Sequence, residues 1–285
     1  MKVKFIVNPI SGTGKQKGIE DIIKDNLKTP FEIVYTKKSG DATLLCQEAI
    51  KENIDVVIAV GGDGTVNECA KALINTNTAL GVIPCGSGNG FAYHIGMKRK
   101  MIDAVKQLNN CVMVNVDSCS ANNIPFVNVS GIGFDAHIAQ LFSTNKKRGF
   151  FTYAKLVLKE LSYKAKDYTL EYNNETKNVK AFLIAFANTS QYGNDAMISP
   201  RADIKDGLID FVIVREFPKW KILFFLYSFL KGRVHLSKYT EIIKAKEIKI
   251  HSESGLIHLD GESINCETPI HIEVNEGSLK IFSPL

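Results

Sequence analysis

The 285-residue chain has no cysteines at metal or redox spacing: Cys46, Cys69, Cys85, Cys111, Cys119 and Cys266 are scattered, with no CxxC among them. That excludes a zinc ribbon and favours reduced thiols over a disulfide framework. The six histidines form no HxxxH or similar ligand pair. There is no dense Lys/Arg block, and the net charge of +5 is mild. A nucleic-acid partner is therefore not expected, whereas phosphate or anionic membrane ligands remain compatible. No apolar run approaches the roughly 20 residues that span a bilayer. The stretch ILFFLYSFL (222–230), flanked by Lys219, Lys221, Lys231 and Arg233, reads first as a core helix and alternatively as an interfacial one. The opening MKVKFIVNP is too short and polar for a signal peptide, so a cytoplasmic setting is expected. No internal repeat or low-complexity segment is found.

What is present is an ordinary globular composition, 45% hydrophobic and 23% charged, in a chain long enough for two domains. Its first part alternates strand and helix: KFIVNP, a helix over about 15–27, FEIVYT, a helix over 41–51, DVVIAV, a helix after Thr65, and ALGVIP. Such alternation predicts βαβ units and a parallel sheet. Beyond VMVNVD (112–117) strands dominate, among them DYTLEYN, VKAFLIAFANTS, GLIDFVIV, AKEIKIHS and IHIEVNEGSLKIFSPL, interrupted by helical stretches near 151–163 and 219–231. The expectation is an α/β nucleotide-binding domain over 1–118 and an antiparallel β-sandwich domain over 119–285.

Three of the early strands run into small or polar loops: NPISGTGK, GGDGTVNE and PCGSGNGF. Parallel strands bring their carboxyl ends to one sheet edge, where open α/β folds bind ligands. Helix N-termini and glycine-rich turns there attract phosphate. Pro9 and Gln16 rule out a Walker A motif in the first loop. Taken singly, each loop reads as a plain strand-to-helix connection, with Thr65 as a cap for the helix after GGDG. Together they suggest a nucleoside triphosphate across the strand ends. Asp63 is then a carboxylate among phosphates, which makes sense if it organises a divalent cation or ordered water.

GGDGTVNE, preceded by NPISGTGK and followed by GSGNGFA, resembles the diacylglycerol kinase catalytic-domain family, which includes sphingosine and ceramide kinases and bacterial lipid kinases. TKKSGDA (36–42), GIGFDA, KKRGFFTY, SPRADIKDGLID and LDGE (259–262) extend the resemblance over the chain. It implies a Rossmann-like N-domain, a C-terminal β-sandwich with the active site in the cleft between them, and ATP-dependent, Mg2+-assisted transfer of the γ-phosphoryl group to a lipid hydroxyl. Carried over by position, Asn8, Ser11, Thr36, Gly61, Gly62, Asp63, Gly64, Thr65, Gly86, Ser87 and Asn89 would surround nucleotide and magnesium. Asn67 and Glu68 would support the GGDGT loop, and Arg148, with Lys147 beside it, would neutralise phosphate charge. Asp117 would join Asp63 in a magnesium–water network. Asp260 and Glu262 would activate the acceptor hydroxyl, Glu262 as the base, and Asp203, Asp206 and Leu208 resemble a separate metal position built from one carboxylate and main-chain carbonyls, with a simple reverse turn as the alternative. The implied partner is a membrane lipid met at the membrane surface, and homodimerisation stays open.

Bacterial diacylglycerol kinases usually carry Asn-Asp where this chain has Asn89-Gly90, and sphingoid-type members also lack that acid. The acceptor is therefore open between diacylglycerol and a long-chain amino alcohol. A soluble NAD kinase shares the GGDGT loop, but it should offer a polar acceptor pocket where this C-domain has apolar strands and ILFFLYSFL. A non-catalytic lipid-binding relative would need neither the GGDGT nor the LDGE acids.

Overall fold

The computed structural model describes residues 1–12, 16, 18–144 and 150–284, apart from the side chains of 150, 151, 153 and 154. They form two compact units, Met1–Ser118 with Glu276–Leu285, and Cys119–Asn275. The first begins with β1 (Val3–Val7), α1 (Ile19–Asn26), β2 (Phe31–Tyr35), α2 (Asp41–Lys51) and β3 (Val56–Gly61). It continues through α3 (Asp63–Leu73), β4 (Ala79–Pro84), α4 (Gly90–His94) and α5 (Met101–Leu108). β1 lies between β2 and β3, β3 pairs with β4, and every pairing is parallel. β1, β3 and β4 are buried along their whole length, as a parallel sheet covered on both faces requires. The edge strand β2 is only half-buried. The helix expected from residue 15 starts at Ile19; residues 13–15 and 17 lie outside the described residues.

The second unit is entered along β5 (Val112–Ala121), followed by β6 (Ile124–Phe126), β7 (Val129–Gly133), α6 (Phe134–Ser143) and α7 (Phe150–Lys159). Next come β8 (Lys166–Tyr172), β9 (Glu175–Ala181), β10 (Leu183–Ala187), β11 (Ile209–Val214) and α8 (Ile222–Leu230). The chain then runs through β12 (Thr240–Ala245), β13 (Glu247–His251), β14 (Leu256–Leu259), β15 (Glu262–Asn265) and β16 (Ile270–Ser283). One antiparallel sheet has the order β12-β11-β10-β7-β14-β15, and β9-β8-β13-β16 forms the opposing layer. Ile184, Phe186 and Phe211 of the first layer pack on Leu170, Ile248 and Ile272 of the second. Alternate residues of the same strands, Leu183, Ala185, Val212 and Val214, face a further apolar layer with Phe134 of α6 and Phe225 of α8. β10 and β11 are thus buried on both faces, which is why they read as unbroken apolar runs.

Two expectations change here. The last residues, Glu276–Leu285, group with the first unit, because the end of β16 pairs in parallel with β4 through Ile281 and Leu80. The core-helix reading of 222–230 is corrected as well: only Phe225 and Ser228 of α8 are buried.

Candidate active-site residues

The carboxyl ends of the parallel strands extend the ladder into the loops singled out above. The Asn8 N–H donates to Val60 O at 3.0 Å, Thr36 N–H to Val7 O at 3.0 Å and Cys85 N–H to Gly61 O at 2.8 Å. Asn8, Thr36, Gly61 and Gly86 therefore leave one sheet edge. A Cβ on Gly12, whose φ is 62°, would stand 2.0 Å from the Cys85 carbonyl oxygen, and one on Gly86 would stand 2.4 Å from the Gly62 Cα. The three loops meet backbone to backbone, a proximity that only glycine permits.

Asp63 locks two of them together. Its Oδ2 accepts the Asn89 N–H at 2.7 Å and its Oδ1 the Gly90 N–H at 2.8 Å. Burial pushes this carboxyl above the usual range, while the two N–H bonds pull it down. Position 63 is also the first residue of α3, where the free N–H groups of a helix start favour negative charge. Gly62, not Thr65, sits at the N-cap of α3. Thr65 is buried in the first turn instead, and its hydroxyl accepts from Asn8 Nδ2 at 3.0 Å, which ties the first loop to the second. The Asn89 amide is spent on its own turn: Oδ1 accepts the Gly86 N–H at 2.8 Å, and Nδ2 donates to Gly86 O at 2.9 Å and Tyr93 Oη at 3.0 Å. Ser11 is held by Gln16, whose Nε2 donates to the Ser11 and Asn8 carbonyls at 2.8 and 3.0 Å. Gly64, in the first turn of α3, and Ser87, in the loop after β4, are exposed.

Glu68 serves a different loop from the one expected. Its carboxylate accepts the Gly40 N–H at 3.0 Å and the Ala42 N–H at 3.2 Å, so it secures the TKKSGDA segment at the start of α2. Asn67 is buried beside it. Asp117, also buried, accepts the Gly277 N–H at 2.7 Å and anchors the returning C-terminal strand.

In the second unit, LDGE forms the β14–β15 hairpin, with Leu259 paired to Glu262. Asp260 (φ 50°) and Gly261 (φ 88°) are its two central residues, and both have the positive φ that a two-residue I′ turn needs. Asp260 Oδ2 accepts the Val127 N–H at 3.0 Å and Oδ1 the Asn128 N–H at 2.8 Å, fastening the hairpin to the segment before β7. Glu262 is exposed at the start of β15. Beneath the turn, buried His258 accepts the Gly261 N–H on Nδ1 at 3.2 Å, and its Nε2 lies 2.8 Å from Asp135 Oδ2. Tyr192 Oη donates to that same oxygen at 2.5 Å. A Cβ on Gly131 would stand 2.9 Å from it, which accounts for the first glycine of GIGFDA.

The turn proposed as a separate metal position is engaged with protein groups. Asp203 Oδ1 accepts the Lys205 N–H and Asp206 Oδ1 the Leu208 N–H, both at 3.0 Å. The Lys244 ammonium lies 2.9 Å from Asp206 Oδ2 and 3.3 Å from Asp210 Oδ1. Among the described residues no group of three or more His, Cys, Asp or Glu side chains could hold a metal ion.

Residues 2–121 match the model of the diacylglycerol kinase catalytic domain, and residues 128–283 match that of the YegS C-terminal NAD kinase beta sandwich-like domain. A Chromohalobacter salexigens protein named "Probable lipid kinase YegS-like" is 32% identical over 235 residues, 80% of this chain and 76% of its own. The chain belongs to the diacylglycerol kinase family and is a lipid kinase. The Bacillus subtilis diacylglycerol kinase is 26% identical to this lipid kinase over 271 residues, 92% of this chain and 89% of its own. A Bacillus anthracis strain Sterne structure, described as a candidate diacylglycerol kinase, superposes with a TM-score of 0.80 at 26% identity, covering 99% and 95% of the two chains. The parallel-sheet domain and the antiparallel β-sandwich are the fold of this family.

In the kinase, Asn8, Ser11, Thr36, Gly61 to Thr65 and Gly86 to Asn89 share one edge of the first unit. Asp260 and Glu262 share a hairpin of the second, and Asp203, Asp206 and Leu208 a turn of their own. Arg148 and Lys147 lie outside the described residues. Gln16, Tyr93, His258 and Tyr192 were not foreseen. Only Asp135 had a signal, as the acid of GIGFDA.

Proposed function

We propose that this lipid kinase transfers the γ-phosphoryl group of ATP to a hydroxyl of a membrane lipid. The observation that carries this reading is the Asp63 clamp, which joins two glycine loops at the carboxyl edge of a parallel sheet. The 8–12, 61–65 and 86–89 loops would wrap the phosphates, with the Asn8, Ser11, Thr36 and Ser87 side chains as polar contacts and Gly61, Gly62, Gly64 and Gly86 giving close approach. Phosphoryl transfer depends on positioning and charge neutralisation more than on covalent chemistry, and this is what such a cradle supplies.

Magnesium fits the same edge. Asp63 is a carboxylate whose burial opposes its charge, each of its oxygens keeps a lone pair beyond the N–H it accepts, and a nearby divalent cation would relieve the cost of ionising it. Asp63 would hold the ion, directly or through water, with Asp117 as the second acid. When bound, it would neutralise charge on the β- and γ-phosphates. Glu262 is the base that takes the acceptor hydroxyl proton. Asp260, with both oxygens committed to backbone N–H groups, holds the hairpin that presents it.

Diacylglycerol is the acceptor to test first, since several relatives are named diacylglycerol kinases, with a sphingoid base second. At position 90, where the acid is missing, the group in use is the backbone N–H on Asp63. The kinase acts in the cytoplasm on lipid at the membrane surface. The decisive assay is transfer of labelled phosphate from ATP to a mixed panel of diacylglycerol, sphingosine and NAD, with the product identified by mass. A phosphorylated lipid supports the reading. Phosphorylated NAD with no lipid product overturns it.

A further inference from the structure

α8 is an apolar helix that the fold leaves half uncovered. Phe225 faces inward and stacks on Phe217, their centroids 4.7 Å apart. Trp220 (77% exposed), Leu223 (70%), Phe224 (66%) and Tyr227 (52%) point outward, with Leu230 and Leu236 also exposed. The spacing 220, 223, 224, 227 is that of a single helical face. Burying such side chains is what ordinarily holds an amphipathic helix to its domain, yet here the larger apolar share faces outward.

The charge around this face is of one sign. From Phe217 to Thr240 there is no acidic residue, while Lys219, Lys221, Lys231, Arg233 and Lys238 are all basic. The Lys221 Nζ lies 5.0 Å from the centre of the Trp220 ring and 5.3 Å from that of Tyr239, and the Lys231 Nζ lies 6.0 Å from that of Tyr227. These ammonium groups lie over aromatic rings, with their stems along the apolar face, as snorkelling lysines do where an apolar layer meets a charged one. No helix among the described residues is long and apolar enough to cross a membrane. A nine-residue helix with an aromatic face and a basic rim suits the plane of the interface, its rings among the acyl-chain ends and its ammonium groups among anionic headgroups.

We propose that the outward face of α8, with Trp220 before it and Leu236 after it, is the surface by which the β-sandwich unit docks onto an anionic lipid bilayer. The choice of occupant rests on the lipid-kinase reading and on charge complementarity. A second copy paired through the same face by two-fold symmetry would set one basic rim against another, whereas a bilayer rich in anionic headgroups neutralises it.

The test is co-sedimentation of the full-length protein with vesicles of phosphatidylcholine and phosphatidylglycerol, and with phosphatidylcholine alone, neither containing an acceptor lipid. Wild type should bind the anionic vesicles more tightly than the neutral ones, with binding weakened by salt. The double variant Leu223→Ser with Phe224→Ser should lose about 10²-fold or more in partitioning, given what withdrawing two large apolar side chains from an apolar phase costs. Lys219→Glu with Lys221→Glu should abolish the preference for anionic vesicles. Leu223, Phe224 and Lys219 are exposed, while Lys221 is half-buried with its Nζ 3.4 Å from Tyr239 Oη, so the melting temperature of each variant is compared with wild type and binding is read on protein that melts as wild type does. A water-soluble short-chain diacylglycerol gives the independent arm. The variants should phosphorylate it as wild type does while turning over bilayer-embedded acceptor poorly. Unchanged sedimentation of both variants overturns the docking proposal. So does a wild-type dimer that either variant converts to monomer without loss of vesicle binding, since the face would then join two copies. If wild type sediments as expected but phosphorylates neither form of lipid, the kinase reading fails and the docking surface stands.

Discussion

Asp63 and Asp260 occupy the same dipeptide, Asp-Gly, and perform the same local act. Each carboxylate accepts two successive backbone N–H groups from a segment distant in sequence, Asn89 and Gly90 in one case and Val127 and Asn128 in the other. What differs is the element that each begins. Asp63 opens a helix at the carboxyl edge of a parallel sheet, where three loops meet and a helix N-terminus favours negative charge. Asp260 makes the corner of an antiparallel hairpin, where the Gly261 N–H is taken by His258 and the flanking strands are paired in a ladder. The same clamp thus joins two strand-end loops in one unit and fastens the hairpin bearing Glu262 in the other, a phosphate cradle and a pedestal under the proposed function.

The comparison can be broken in four ways. The largest effect is expected for Asp63→Asn, which removes the charge and turns an amide N–H toward one of the two donors. Activity should fall by at least about 10³-fold with the secondary structure intact, and near-normal turnover would show that the clamp is merely structural. Next comes Glu262→Gln, predicted to lower kcat by about 10²–10⁴-fold with little change in the KM for ATP. A change confined to KM would remove it from proton transfer. Asp260→Asn should act mainly on stability, costing about 1–3 kcal/mol through the unpaired N–H it leaves, with a smaller fall in kcat than for Glu262→Gln. Should it be stable yet inactive, Asp260 is the base and the pedestal reading is wrong.

The smallest expected effect is a pH dependence. Burial raises the Asp63 carboxyl above its ordinary value, so the folded state holds that proton more tightly than the unfolded chain does, and ionisation opposes folding. Asp63→Asn removes this opposition. In metal-free protein the melting temperature of the variant relative to wild type should therefore rise as pH climbs through the carboxylate range. A parallel pair of pH profiles would show that the carboxyl is not perturbed.

Much of this molecule was legible before its fold. The runs DVVIAV and ALGVIP announced strands of a parallel sheet, α2 runs over the residues predicted, and the glycines of three loops pointed to one sheet edge. LDGE was legible as an acid pair, and the structure shows that it is also the corner of a hairpin. Harder to read were the partners. Nothing near Glu68 in sequence says that it will cap a helix starting at Asp41, and nothing in IHLDGE says that His258 will lie against Asp135. Position 65 carries a good capping residue, yet the cap fell to Gly62, because the sheet edge starts the helix earlier and turns the Thr65 hydroxyl toward Asn8.

By itself, then, the amino-acid order determined what depends on neighbours a few residues apart: strand and helix periods, positive-φ turns, and the glycines that let backbones touch. It also carried the family pattern. The tertiary structure alone decided which long-range donors each carboxylate would meet, that the last strand would return to the first unit beside β4, that a lysine ammonium would settle on Asp206 and Asp210, and that α8 would keep most of its apolar face outside. Those outcomes depend on which surfaces remain after the sheets have packed. A side chain's hydrophobicity says that it gains by leaving water, but only the finished packing says whether the protein or something else will cover it.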